Sequence, residues 1–114
     1  MPVRPAWLII AALTAGMALC HAGTAGAAGA KPAIHTVVIE AVKFTPAVMT
    51  VNRGDVVVWV NKDPIPHTAT APHGAFDSHS IAAGGSWKFI ARHKGEFAYI
   101  CTLHPSMQGT LIVK

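Results

Sequence analysis

Residues 86–114 read SWKFIARHKGEFAYICTLHPSMQGTLIVK, and their texture decides the class of fold. Three short runs of β-branched and aromatic residues, 86–91, 96–101 and 110–113, are separated by His93-Lys94-Gly95 and by the stretch 104–109. Strands bounded by turn residues look like this; a helix with a sustained 3.6-residue apolar period does not. The pattern continues upstream. Residues 34–44 (IHTVVIEAVKF) predict one extended run closed by Thr45-Pro46, and 47–51 a second ended by Asn52-Arg53-Gly54-Asp55. Residues 56–61 (VVVWVN) are apolar at every position to Val60, the composition of a strand buried on both faces. Pro64, Pro66, Pro72 and Gly74 make 62–80 read mostly as a long loop. Strands this short and frequent predict an all-β fold, a small sandwich or barrel.

The first thirty residues are a different kind of sequence. Residues 1–6 carry one basic residue, Arg4, and no acid, and an uncharged apolar run of thirteen follows at 7–19 (WLIIAALTAGMAL). Small residues then lead to two small-x-small sites, after Ala27 and after Ala30. A basic start, a short apolar core and a small-residue exit describe a secretory signal peptide. The run is too short for a membrane anchor, which needs about 20 apolar residues. Cys20 follows the bulky Leu19, where a lipid-modified cysteine would follow a small residue. The expected organisation is therefore a signal peptide at 1–30 and one exported, periplasmic domain at 31–114, without stable membrane insertion and monomeric. Removing the leader takes Arg4 with it and lowers the net charge from +4 to +3. The remaining basic residues are scattered rather than clustered with aromatic neighbours, so nucleic acid is not an expected partner.

With Cys20 in the leader, the mature chain holds a single cysteine, Cys101. A disulfide framework is excluded, and an exported lone thiol invites a ligand. Cys101, His104 and Met107 stand at i, i+3 and i+6, and a second imidazole, His67, follows the run 56–61. Taken singly, each has a plain alternative: a buried small cysteine, loop histidines, a methionine filling the core. Together, one thiolate, two imidazoles and a weak thioether match the ligand set of a blue-copper electron-transfer centre. Copper is favoured over zinc by Met107, because structural zinc sites close with Cys or His.

Cys101-x-x-His104-Pro105-x-Met107 resembles the ligand loop of the cupredoxins, in particular the amicyanin-like branch of the plastocyanin/azurin family. Lys43-Phe44-Thr45-Pro46, Gly54-Asp55, Val58-Trp59-Val60-Asn61, Pro66-His67, Phe76-Asp77-Ser78, Gly85-Ser86-Trp87 and Gly95-Glu96-Phe97-Ala98-Tyr99 extend the similarity over nearly the whole mature chain. The resemblance implies a Greek-key β-sandwich holding one copper ion (Cu+/Cu2+) at one end. It implies His67, Cys101 and His104 as equatorial ligands and Met107 as the axial one. It also implies His104 as the electron port, within an apolar patch of Pro64, Ile65, Pro66, Leu103 and Pro105. Asn61 is expected to hydrogen-bond the backbone of Thr102, beside the ligand cysteine. His73 and His79 flank Asp77 and suggest a second, weak metal site, against the plainer reading of solvated loop histidines. His79 departs from the small residue expected at its position.

The function implied is one-electron transfer between protein partners, with an amine dehydrogenase as donor and a c-type cytochrome as acceptor. No substrate is turned over, so the chain is not expected to be an enzyme. Copper storage or delivery is the alternative, but only Met49 and Met107 survive signal removal and no Met-rich run exists. A copper oxidase or nitrite reductase needs further ligands, typically as His-x-His or His-Cys-His, and neither occurs.

Overall fold

Two mixed sheets face one another, and the chain passes back and forth between them. The computed structural model describes Lys31–Lys114, together with the isolated Val3 and Gly16. The signal-peptide reading of residues 1–30 and its cleavage sites otherwise lie outside the described residues. The first sheet has the order β2 (Lys43–Thr45), β1 (Ile34–Glu40), β4 (Val56–Asn61), β7 (Ser86–Ile90). The second has the order β3 (Val48–Val51), β9 (His104–Val113), β8 (Gly95–Cys101), β5 (Thr70–Ala71), β6 (Phe76–Asp77). β1 runs parallel to β4 and β3 parallel to β9; the other pairs are antiparallel. The all-β class expected from the strand texture is the class observed.

Four details differ from the sequence reading. The run 34–44 is a hairpin rather than one strand: Glu40 pairs with Lys43, and Ala41 and Val42 turn at φ 53° and 57°. Neither residue favours that left-handed region, so the chemistry of 41–42 does not announce the turn. β4 is not buried on both faces. Val57, Trp59 and Asn61 point into the core, while Val56, Val58 and Val60 are half-buried. The stretch 62–80 is not a bare loop, since it carries β5, a 3-10 turn at Pro72–Gly74 and β6. Finally, 104–109 is not a loop either, because β9 begins at His104.

The core between the sheets is aromatic. Trp59 meets Tyr99 edge-on at 5.5 Å and lies 5.4 Å from Trp87 and 5.6 Å from Phe76. Tyr99 also meets Phe44 at 4.7 Å. Burial pushes the Tyr99 phenol up to about 12, because the anion would lose its hydration there. Its ring lies over Gly109, where a Cβ would fall 2.3 Å from Tyr99 Cζ. That glycine, paired with Tyr99, lets β9 run beneath the ring and lie against β8.

The opposite strand ends are tied by Asp55. Its carboxylate accepts the Ala33 and Asn52 amides at 3.1 and 3.0 Å and the His35 ring nitrogen at 2.9 Å. His35 first, then the amides, hold the Asp55 carboxyl below its ordinary value.

Candidate metal centre

β8 turns into β9 through two residues, Thr102 and Leu103, so that Cys101 pairs directly with His104. One pair earlier, Ile100 faces Gln108; the step skips Pro105, Ser106 and Met107, which bulge out of the ladder. The bulge puts Cys101 and His104 side by side at the strand end. Met107 lies within the bulge and is buried. His67 arrives from the other sheet, on the segment after β4. It is pinned by a two-way backbone bridge to Ile81, N to O at 3.1 Å and O from N at 2.7 Å.

Cys101 Sγ stands 3.7 Å from Nδ1 of His67 and 3.7 Å from Nδ1 of His104. The three donor atoms lie within 4.8 Å of one another. His67 and Cys101 are fully buried, whereas His104 is half-exposed. Their convergence fits the ion expected from the sequence, since thiolate and imidazole are the donors that soft and borderline metals select. No other such group of His, Cys, Asp or Glu occurs among the described residues. His73 and His79 are both exposed, and His79 Nδ1 stands 3.7 Å from Asp77 Oδ2. A second metal site there is not formed.

Each donor is oriented by a neighbour. His67 Nε2 donates to Asp63 Oδ2 at 2.7 Å. A carboxylate can only accept, so the proton sits on Nε2 and the Nδ1 lone pair faces the sulfur. The Thr68 amide donates to Cys101 Sγ at 3.2 Å, which favours negative charge on that sulfur. Asp63 is itself held low by hydrogen bonds, from the Val42 amide first and then from His67 and the Ala41 amide, against the opposing effect of burial.

Asn61 does not reach Thr102. Its Nδ2 donates to the carbonyls of Ile65 (2.8 Å) and Ile81 (3.0 Å), and its Oδ1 accepts the Asp63 amide (3.0 Å). The chain turns immediately after β4 and uses up the Asn61 amide locally. Thr68 takes the expected role instead: its Oγ1 accepts the Thr102 amide at 2.9 Å and hydrogen-bonds the Thr102 hydroxyl at 3.1 Å. Asp63 and Thr68 were therefore missed by the sequence reading. Their signal was position alone, four residues before and one after a candidate histidine.

Around the donors, Pro64, Ile65, Pro66, Leu103 and Pro105 are all exposed. Leu103 and Pro105 flank the half-exposed His104 in the chain, and Pro64, Ile65 and Pro66 precede His67, whose ring lies 4.9 Å from that of His104. No described helix is long and apolar enough to cross a membrane.

The Cupredoxin-like domain family model matches residues 8–113. Amicyanin of Paracoccus versutus is 32% identical over 81 residues, covering 67% of this chain and 61% of that protein. Amicyanin-alpha of Methylorubrum extorquens is 27% identical over 115 residues, covering 90% and 97%. The chain thus spans about three fifths of the first relative and nearly all of the second. A solved mutant of amicyanin in its Cu(I) form superposes with a TM-score of 0.68 at 27% identity, covering 75% of this chain and 85% of that one. A copper-containing nitrite reductase from Thermus scotoductus gives the same TM-score at 26% identity, but the match is only 23% of that chain.

Proposed function

The chain belongs to the cupredoxin-like family, and from that premise we propose that it is an exported, periplasmic one-electron carrier with one copper ion held by His67, Cys101, His104 and Met107. The observation that carries the reading is the convergence of one sulfur and two ring nitrogens within 4.8 Å at a strand end. Copper bound there supplies a one-electron couple between Cu(II) and Cu(I).

The chain's own residues do the rest. Cys101 ends β8, and His67 is pinned by its backbone bridge to Ile81 and its hydrogen bond to Asp63, so little rearrangement need accompany a change of charge. Full burial of His67 and Cys101 keeps water from the sulfur and argues against the open site that copper storage or delivery would use. Met107, buried on the bulge, would be the fourth donor, and a weak thioether there would tune the potential. His104, half-exposed in its apolar surround, is the port through which electrons leave or enter. A small apolar contact face suits a transient partner, which must dock closely and leave quickly. The similarity to amicyanins makes an amine dehydrogenase the donor to test first and a c-type cytochrome the acceptor. The likeness to a nitrite reductase covers 23% of that chain, and this chain's single donor group offers no second centre among the described residues; we read it as a carrier.

Titration of the purified protein with Cu(II), beside Cys101→Ser, tests the reading. An intense blue band at one copper per chain is expected, bleached by ascorbate, restored by an oxidant and absent from the variant. Copper binding without that band would overturn the carrier assignment. Met107→Gln should lower the reduction potential, because a stronger axial oxygen donor favours Cu(II); an unchanged or higher potential removes Met107 from the ligand set.

A further inference from the structure

The buried Asp63 carboxylate accepts three hydrogen bonds that come from two different parts of the chain. Oδ1 accepts the Ala41 amide at 2.7 Å, and Oδ2 accepts both the Val42 amide at 2.9 Å and His67 Nε2 at 2.7 Å. The first two close the turn between β1 and β2. That turn has both central residues in the left-handed region, at φ 53° and 57°, where Gly, Asn or Asp is the usual occupant and a β-branched valine is an outlier. Nothing local in Ala41-Val42 prefers this geometry. An acceptor some twenty positions along the chain aims both amides and holds it. The third bond fixes the ring whose other nitrogen faces Cys101 Sγ. Asp63 cannot drift to suit one client alone, since its own amide is held by the fully buried Asn61.

We infer that Asp63 is a positioning residue that locks the β1–β2 turn and the metal ligand His67 to each other through one shared carboxylate. The ligand half of this inference rests on the carrier reading above; the turn half does not. The carboxylate sets the proton of His67 on Nε2, keeps Nδ1 directed at the metal position and, as an anion, makes the ring a better donor. The turn in turn braces the carboxylate through the Ala41 and Val42 amides.

Asp63→Asn keeps the shape of the side chain and removes the charge and one acceptor oxygen. In the metal-free protein, amide hydrogen exchange at whichever of Ala41 and Val42 loses its acceptor should speed at least tenfold while that of Thr110, in β9, is unchanged. Affinity for Zn(II), used as a redox-silent probe, should fall about 10–100-fold, and the copper-loaded variant should show a higher reduction potential. If Asp63→Asn does not fold, Val42→Gly/Asp63→Asn frees the turn from its need for the carboxylate and isolates the effect on His67. Wild-type Zn(II) affinity and potential in a folded variant would overturn the ligand half; wild-type exchange at both Ala41 and Val42 in Asp63→Asn would overturn the turn half. Should the wild-type protein bind neither Zn(II) nor copper, the carrier reading and the ligand half both fall, and the exchange rates still decide the turn.

Discussion

Replacing Thr68 with valine keeps the outline of the side chain and deletes one oxygen. The backbone N–H of residue 68 still reaches Cys101 Sγ, so the sulfur keeps its donor. What disappears is Oγ1, which accepts the Thr102 amide at 2.9 Å and hydrogen-bonds the hydroxyls of Thr102 and Thr70 at 3.1 and 3.0 Å. Those hydroxyls can turn to water, because Thr102 is exposed and Thr70 half-buried. The Thr102 amide cannot turn: the two-residue hairpin from Cys101 to His104 fixes its direction, and it is left without an acceptor. The bond is only part-buried, so the ordinary net worth of a hydrogen bond, about 1 kcal/mol, is the loss expected. For a domain of this size that lowers Tm by about 4–8 °C. Urea unfolding of the metal-free protein, followed by tryptophan fluorescence, measures the loss, and amide exchange at Thr102 locates it. Thr70→Val is the control, because its hydroxyl only donates, and it should change stability by less than about 0.5 kcal/mol. A Thr68→Val protein within that same margin, with the Thr102 amide protected as in the wild type, would refute the reasoning.

Three further outcomes follow from groups elsewhere in the fold. Asn61→Ala strands the buried Asp63 amide and takes a donor from the Ile65 carbonyl, while the Ile81 carbonyl keeps the His67 amide, and should cost about 1–3 kcal/mol in the same unfolding assay; unaltered exchange at Thr102 should accompany it, since Asn61 does not touch that amide. Gly109→Ala drives a methyl into the Tyr99 ring, which Phe44 and Trp59 prevent from retreating, and should cost about 1–3 kcal/mol by overpacking; an unchanged Tm would mean that the ring has room to move. Asp55, whose folded pKa lies below the ordinary 3.8, binds its proton less readily folded than unfolded. Its stabilisation is therefore present above pH 3.8 and lost as pH falls through the lower folded value. Asp55→Asn should be less stable at pH 7 and lose less than the wild type between pH 5 and pH 3, as read by urea midpoints of the metal-free proteins; parallel losses would exclude Asp55 as the source.

Strand positions were legible because β-branched and aromatic runs between turn residues report a pleated, half-buried surface directly. Where the reading failed, the deciding atoms lay elsewhere in the chain. Ala41-Val42 carries no turn residue, and its geometry is imposed by Asp63, 22 and 21 positions away. Pro105 and Gly109 made 104–109 look like a loop; yet Pro105 sits in the bulge, where no ladder bond is asked of it, and Gly109 serves the Tyr99 ring. The apolar run VVVWV suggested two buried faces, but composition alone does not separate a half-buried outer face from a covered one.

The donors of the candidate centre were readable from residue type and local spacing, whereas the bonds that orient them were not, and the exchange of roles between Asn61 and Thr68 shows why. A side chain can brace Thr102 only if its backbone already lies against the ligand cysteine. Residue 68 meets that condition because its amide points at Cys101 Sγ, so a short side chain on its Cα suffices to reach the next amide along. Residue 61 stands at the end of β4, and its longer side chain is spent closing the turn that carries Asp63, Pro64 and Ile65 toward His67. The two residues thus divide one task. Asn61 shapes the approach to the first imidazole, and Thr68 fastens that approach to the hairpin bearing the thiol and the second imidazole. One donor comes from the segment after β4 and two from the β8–β9 hairpin, and the Thr68–Thr102 bonds, 34 positions apart in sequence, tie the two contributions together.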